Sequence, residues 1–276
     1  MIDGKIIIVG KKSFIGSHIY KFVKFKKKII LSYEEFLKLN PNKLLKYDFI
    51  CNCSVNPKYK FEKYKKKNDL DILIYEKIKK FNIKLIFLSS RKIYQPKYDI
   101  KENGKLNPID IYASNKLRTE NFLKKKLKQK LIILRISNII GLKFKKKYRN
   151  VNRTFFDNYL DSLKDNKQVF YDNFFKDFIS IEQFLKIFEL ILKKNLSGTF
   201  NVSLGSKVYI SQIINWLNYR NKNKLKFMSR KKSSKSDKTS FTLNNSKISK
   251  LIDYKPKTIE LKKFCLQISK LINKPK

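Results

Sequence analysis

The sequence predicts an α/β fold, a doubly wound parallel sheet with a smaller C-terminal lobe. Three observations carry the prediction. Short, continuous apolar runs such as Ile6 to Val9 alternate with amphipathic stretches through the first half of the chain, the pattern of parallel strands buried on both faces and joined by helices. A glycine-bearing turn, Gly10 to Gly16, follows the first run directly. The 276 residues are 42% hydrophobic and 14% aromatic, enough apolar material for a sizeable core in one large domain or two unequal ones.

The elements follow in order. Lys5 to Val9 is a buried strand and Phe14 to Phe25 a helix. Ile29 to Leu31 is a second strand, Tyr33 to Leu39 a short helix and Tyr47 to Cys53 a third strand. One long helix is expected over Phe61 to Lys80, then a strand at Lys84 to Leu88, a helix at Asp110 to Lys128 and a strand at Leu131 to Ile136. Right-handed crossovers bring the strand C-termini to one edge, where functional residues gather. After Gly141 the alternation fades. Lys143 to Arg153 reads as a mobile basic loop and Ser229 to Ser240 as a loop. Between and beyond them lie helices at Phe155 to Leu163, Ile181 to Leu192, Ile210 to Tyr219 and Ile259 to Leu271, and a strand at Gly198 to Val202.

Charge bounds the partners. The formal net charge is +43, yet only seven of the 65 basic residues are Arg, and the chain holds a single alanine, Ala113. Lys, Asn, Ile, Phe and Tyr, all residues of AT-rich codons, are inflated together. The excess therefore reads as codon bias on solvated positions. A specific nucleic-acid surface would favour Arg for bidentate and stacking contacts. No stretch approaches the roughly 18 apolar residues of a membrane span, and the N-terminus has no signal-peptide pattern. Cys51, Cys53 and Cys265 lack the spacing of a disulfide scaffold or a metal site, so no metal is expected. A soluble, reducing, cytoplasmic setting fits.

Three short patterns carry chemistry. At Gly10 to Gly16 (GKKSFIG), glycines let the backbone approach a pyrophosphate and the helix N-terminus offers free N–H groups. Ser13 stands where a further glycine is usual. Tyr112 and Lys116 are four residues apart, on one face of a helix; an ammonium near a phenol lowers its pKa and makes it a workable acid or base. Ser90 closes the fourth strand, where a hydroxyl can bond a substrate oxygen. Taken singly, each pattern also fits a plain strand–helix turn, an exposed helix face or a strand-closing serine.

In combination, and in this order, they resemble the extended short-chain dehydrogenase/reductase family, the NAD(P)-dependent epimerase/dehydratase group acting on nucleotide sugars. The resemblance runs along nearly the whole chain. It includes Asp48 to Ser54 (DFICNCS), Asn68, Pro108 to Glu120 (PIDIYASNKLRTE), Leu134 to Gly141 (LRISNIIG), Lys176 to Ile181 (KDFISI) and Gly198 to Val202 (GTFNV). It implies a Rossmann-like NAD(P)-binding domain over residues 1–142 and a mainly substrate-binding lobe over 143–276, with some later segments returning to the first. It implies catalytic Ser90, Tyr112 and Lys116. It implies cofactor contacts from Gly10, Lys12, Ser13, Phe14, Ile15, Gly16, Cys53, Asn68, Tyr112 and Lys116, and substrate contacts from Ser90, Asn138 and Lys176. His18, Trp216, Phe155, Phe156, Phe174 and Phe175 read as structural.

The departures shape the expected reaction. Dehydratases of the group carry an Asp-Glu pair where Arg91 and Lys92 stand here, which removes water loss. A 4-keto-sugar reductase is favoured narrowly, similar to the dTDP-4-dehydrorhamnose reductase or GDP-6-deoxysugar reductase branches. A 4-epimerase is the alternative, and a non-catalytic cofactor- or RNA-binding member a second one. Ser32 stands where an acid would bind the adenosine ribose, and with Lys12 this tilts the cofactor to NADP over NAD. The segment between the second and third strands is short, so a sheet strand of larger members is expected to be missing. A homodimer is left open.

Overall fold

The computed structural model describes residues 1–143, 155–165, 169–171, 174–220, 227–229 and 240–272. Its first part runs β1 (Ile2–Val9), α1 (Phe14–Phe22), β2 (Phe25–Leu31), α2 (Tyr33–Lys38), α3 (Pro41–Leu44), β3 (Phe49–Asn52), α4 (Pro57–Phe61), α5 (Leu70–Ile78), β4 (Lys84–Ser90), α6 (Ile111–Leu127) and β5 (Leu131–Ile136). The second part holds β6 (Asn138–Ile140), α7 (Phe155–Asp165), β7 (Val169–Tyr171), β8 (Phe175–Lys176), β9 (Phe178–Ser180), α8 (Ile181–Lys193), β10 (Gly198–Val202), β11 (Val208–Tyr209), α9 (Ile210–Asn218), β12 (Phe227–Ser229), α10 (Ser246–Ile252) and α11 (Thr258–Ile272).

Six strands form one parallel, Rossmann-like sheet in the order β10-β5-β4-β3-β1-β2. The continuous apolar runs are explained by burial on both faces. Ile6 and Ile8 point into a core shared with Ile19 of α1 and Phe184 and Phe188 of α8. Ile7 and Val9 point into a second core with Phe36 of α2, Ile72 of α5 and Leu123 of α6. Side chains alternate with period 2 along a strand, so each central strand must be apolar throughout. The connection between β2 and β3 holds only the short helices α2 and α3, and β2 is the sheet's edge.

Two elements differ from the sequence reading. The stretch Phe61 to Lys80 is not one helix: α4 ends at Phe61, a single 3₁₀ turn spans Lys66–Asn68, and α5 begins at Leu70. Residues 62–68 (EKYKKKN) offer Tyr64 as their single apolar position, and Asp69 starts α5 afresh by accepting from the N–H groups of Asp71 and Ile72. Strand β2 begins at Phe25 rather than Ile29, because an edge strand tolerates the lysines at 26–28 on its open side. The loop expected at Lys143 to Arg153 lies, after residue 143, outside the described residues, as does most of Ser229 to Ser240.

Beyond β5 the chain crosses back and forth over the C-terminal edge of the sheet. Strand β6 pairs in parallel with β9, β8 pairs with β11, and β10 returns to the sheet beside β5. Asp177 is fully buried between β8 and β9, accepting from the N–H groups of Leu204, Gly205 and Leu243 at 2.9, 3.2 and 3.0 Å. Burial pushes its carboxyl up to about 7, against those hydrogen bonds.

Candidate active site

The turn after β1 is shaped by close approach. Gly10 has φ +128°, and a Cβ there would lie 2.9 Å from Ser54 Oγ; a Cβ on Gly16 would lie 3.0 Å from the carbonyl oxygen of Gly10. Both positions need glycine. Ser13 is the N-cap of α1, its hydroxyl accepting from Gly16 N–H at 3.2 Å. Phe14 and Ile15, the first turn of the helix, border a pocket of about 350 Å³.

That pocket runs along the C-terminal edge of the sheet. Asn52, Cys53 and Ser54 line it from β3 and its end, Ser89 and Ser90 from β4, Tyr112 and Lys116 from α6. The chain brings Ser90, Tyr112 and Lys116 together because α6 follows β4 in the chain and packs back against it. Asp110 caps α6, accepting from Ala113 N–H at 2.8 Å, so the helix starts just before Tyr112. Ser90 caps the short turn after β4, accepting from Lys92 N–H at 3.2 Å. Lys116 is 3% exposed, its Nζ 6.0 Å from the centre of the Tyr112 ring and 4.4 Å from that of Phe87.

Beneath Lys116 lies a buried polar network that the sequence reading missed. Lys116 Nζ stands 3.4 Å from Asp71 Oδ2, and Asn52 Nδ2 donates to Asp71 Oδ1 at 2.8 Å. Asp69 accepts from Thr119 Oγ1 at 2.5 Å, and Thr119 meets the Tyr59 hydroxyl at 2.7 Å. Burial opposes the charge on Lys116, but Asp71, Tyr112 and Asp69 together raise its pKa. Burial lifts the Asp71 carboxyl to about 6; Lys116 lowers it and neighbouring Asp69 raises it. Asp71 comes from the segment read as one uniform helix, so no local pattern marked it.

The other predicted site residues are placed as follows. Lys12 is exposed on the glycine turn. Asn68 is buried and borders a smaller cavity beside Asp69, Asp71 and Lys116. Asn138 is half-buried in β6, its Nδ2 donating to the carbonyl oxygen of Asp177 at 2.9 Å. Lys176 is half-buried over the Phe174 ring; burial, then Arg91 and Lys92, bring its pKa down to about 8. Arg91 stacks 3.7 Å from the Phe241 ring centre, and burial lowers it to about 10. The structural readings of His18 and Trp216 fit their surroundings: His18 is buried with Nδ1 2.8 Å from the Phe14 carbonyl, and Trp216 packs on the core. Phe156, read as packing, also lines the pocket.

Two further features were not read from the sequence. Ser137 lines the pocket, and its buried Oγ has no hydrogen-bond partner among the described residues. At the end of β2, Ser32 forms a capping box with Glu35, accepting its N–H at 3.2 Å and donating its own N–H to the carboxylate at 2.7 Å. Glu35 also pairs with Lys11 at 2.6 Å. A hydrogen bond from its own backbone N–H, then the hydroxyl of Ser32, hold the Glu34 carboxyl below its ordinary value.

A parallel sheet with a glycine turn at its first strand, and a Ser, Tyr and Lys meeting on its C-terminal edge, define the class to which the comparisons also lead. Residues 69–203 match the model of the NAD dependent epimerase/dehydratase family. The matched segment is just under half of the chain and carries Asp71, Ser90, Tyr112 and Lys116. Compared by sequence with curated proteins, it matches none. Its fold is similar to that of a UDP-N-acetylglucosamine 4-epimerase from Methanobrevibacter ruminantium in complex with UDP-N-acetylmuramic acid, at 20% identity, 98% of each chain and a TM-score of 0.77. A UDP-glucuronic acid 4-epimerase from Bacillus cereus in complex with NAD matches at 19% identity, 98% of this chain, 100% of that one and a TM-score of 0.73. A dTDP-glucose 4,6-dehydratase from Bacillus anthracis in complex with NAD matches at 15% identity, 97% of each chain and 0.74.

Among the described residues, no group of His, Cys, Asp and Glu could hold a metal ion, and no helix is long and apolar enough to cross a membrane.

Proposed function

We propose that the chain is an NAD-dependent oxidoreductase of nucleotide sugars, with Ser90, Tyr112 and Lys116 as its catalytic residues. The observation that carries this is their convergence on one pocket that also borders the first turn of α1. A dinucleotide fits the residues present. The glycine turn has no room for a Cβ at Gly10 or Gly16, and Ser137 Oγ is a buried polar atom awaiting a partner. Gly10, Ser13, Phe14, Ile15 and Gly16 would hold the pyrophosphate, with Cys53 and Asn68 alongside and Lys116 on the nicotinamide ribose. When bound, the nicotinamide supplies the hydride chemistry.

The side chains do the rest. Tyr112 gives or takes the proton on the sugar oxygen, and Ser90 hydrogen-bonds the same oxygen as charge develops there. Lys176, with Arg91 near it, offers cationic partners to the substrate's acidic groups, and Asn138 anchors β6 beside them. Arg91 and Lys92 occupy the positions of a dehydratase's acid pair, so loss of water is not the reaction.

Between epimerase and reductase, the end of β2 favours the epimerase. Lys11 is paired with Glu35 at 2.6 Å, which leaves exposed Lys12 as the glycine turn's other lysine beside the acids that follow Ser32. Glu34 is instead available to the ribose hydroxyls of NAD. An epimerase returns its hydride to the same substrate and gains from retaining NAD. The test begins with acid extraction of freshly purified protein, expected to release NAD in near-stoichiometric amount. A panel of UDP- and dTDP-sugars followed by NMR should then show inversion at one sugar carbon. Tyr112→Phe should keep NAD and lose about 10²- to 10⁴-fold in turnover. Protein that holds no NAD, binds NADPH more tightly than NADH and reduces a 4-keto sugar would return the reading to the reductase. Unimpaired turnover by Tyr112→Phe would overturn the catalytic assignment.

A further inference from the structure

A lysine ammonium as deeply buried as Lys116 is costly unless something holds its charge. An isolated one gives up its proton near or below neutrality. The compensating group is Asp71, whose Oδ2 is 3.4 Å from Nζ while Oδ1 is fixed by Asn52 Nδ2 at 2.8 Å. Asn52 ends β3, and its Oδ1 accepts from Ser54 N–H at 2.9 Å. Ser54 is in turn the residue against which Gly10 is packed. A continuous set of contacts therefore runs from the glycine turn through Ser54, Asn52 and Asp71 to Lys116.

We propose that Asp71 is a positioning residue that keeps Lys116 charged and registers its ammonium against the glycine turn, so that its remaining donors meet the cofactor's ribose. The proposal rests on the reading of Lys116 as a cofactor contact given above. The groups facing the pair do not duplicate the role. Asp69, at the start of the same helix, is engaged by Thr119, by the Tyr64 hydroxyl and by backbone N–H groups. Cys51 on β3 has its thiol pushed up by burial and stays neutral. Tyr59 on α4 has its hydroxyl pushed up by burial and stays neutral too, its ring centre 5.6 Å from Nζ. On α6 itself, the Tyr112 ring centre is 6.0 Å from Nζ. Asp71 is thus the one carboxylate within ion-pair distance of Lys116 among the described residues.

The experiment measures the Kd of NAD⁺ by calorimetry from pH 6 to 9.5, on protein stripped of bound nucleotide. The parent should be nearly flat between pH 7 and 9.5. Asp71→Asn should bind within about threefold of the parent at pH 6.5. By pH 9 it should be about tenfold or more weaker, because the uncompensated lysine loses its proton inside that range. Should Asp71→Asn not fold, Asp71→Ser carries the same expected alkaline loss, and Asp71→Glu, which restores a carboxylate, should remove it. Lys116→Met should bind weakly at every pH. If Lys116→Met is weak but the Asp71 variants follow the parent's profile, or lose affinity equally at all pH, Asp71 is merely structural and the proposal fails alone. If Lys116→Met binds NAD⁺ as the parent does, the reading of Lys116 fails and takes this proposal with it.

Discussion

Glu120 is 0% exposed and sits one helical turn after Lys116 on α6. It receives Arg135 through both Nε and Nη2, Ser89 Oγ at 3.0 Å and Lys124 Nζ at 2.7 Å. Arg135 is also buried, and its Nη1 donates to the Tyr94 hydroxyl at 2.6 Å. The cluster ties the helix carrying Tyr112 and Lys116 to the ends of β4 and β5. Replacing Glu120 by Ala leaves the guanidinium of Arg135 buried without its counter-charge, a change that costs about 3–5 kcal/mol. At roughly 2–4 °C per kcal/mol for chains a little shorter than this one, Tm should fall by about 6–20 °C. Arg135→Met in the same background should recover much of the loss, because no unpaired charge is then buried. The sign with pH follows from the shift. Burial raises the Glu120 pKa, but Arg135 and then Lys124 outweigh it and hold it below its ordinary value. Its contribution is therefore present above pH 4.5 and lost as pH falls through the lower folded value. Urea denaturation of parent, single and double variants at pH 7 and pH 4 is the assay. A Glu120→Ala variant within 1 kcal/mol of the parent at pH 7 would refute the reasoning.

Three other outcomes are expected. Asp177, raised to about 7, favours its proton in the folded state, so its share of stability is fullest in acid and declines as pH rises from about 4 through 7. In Asp177→Asn that slope, of order 2–4 kcal/mol, should be missing from a pH series of denaturant midpoints. Gly10→Ala combines a φ of +128° with a Cβ 2.9 Å from Ser54 Oγ, and should cost about 2 kcal/mol or more and weaken NAD binding in calorimetry. If the +43 charge is a solvated coat, duplex DNA or RNA at about 150 mM salt should bind no tighter than about 10⁻⁴ to 10⁻⁶ M in a polarisation assay, without sequence preference.

The sheet was legible because its central strands are apolar on both faces. Ile6 to Val9 and Leu131 to Leu134 are too short for a buried helix and are bounded by turn or polar residues, which favours strands. Tyr112, Lys116 and Ser90 were legible as types at positions, since a four-residue helical spacing and a strand end are local properties. What stayed hidden depends on contacts across the chain. Asp71 is an ordinary polar residue in the sequence and becomes the counter-ion of Lys116 only when α5 packs on α6. Ser137 lies inside a recognised motif, yet its unpartnered hydroxyl is visible only with β5 and the pocket in place. The short helix after Ser32 was legible, but the capping box that ties the Ser32 hydroxyl to Glu35 is visible only in the fold. The break at residues 62–68 was legible in principle: with Tyr64 alone among charged and polar residues, the stretch does not continue a packed helix face.

The two borders of the sheet give the lysine content a meaning beyond codon usage. Strand β2 has β1 on one side only, and a bare strand border invites a neighbouring molecule to add its own strand. Lys26 and Lys27 are exposed along that border and Lys28 is half-buried. Two molecules brought border to border would align these ammonium groups, and the repulsion opposes runaway stacking of sheets. At the opposite border, Lys247 Nζ caps the Thr199 carbonyl oxygen of β10 at 2.8 Å, occupying an acceptor that a foreign strand would need. Replacing Lys26 and Lys27 with Thr or Val would leave the protein's interior untouched and turn a self-limiting sheet into a template for aggregation.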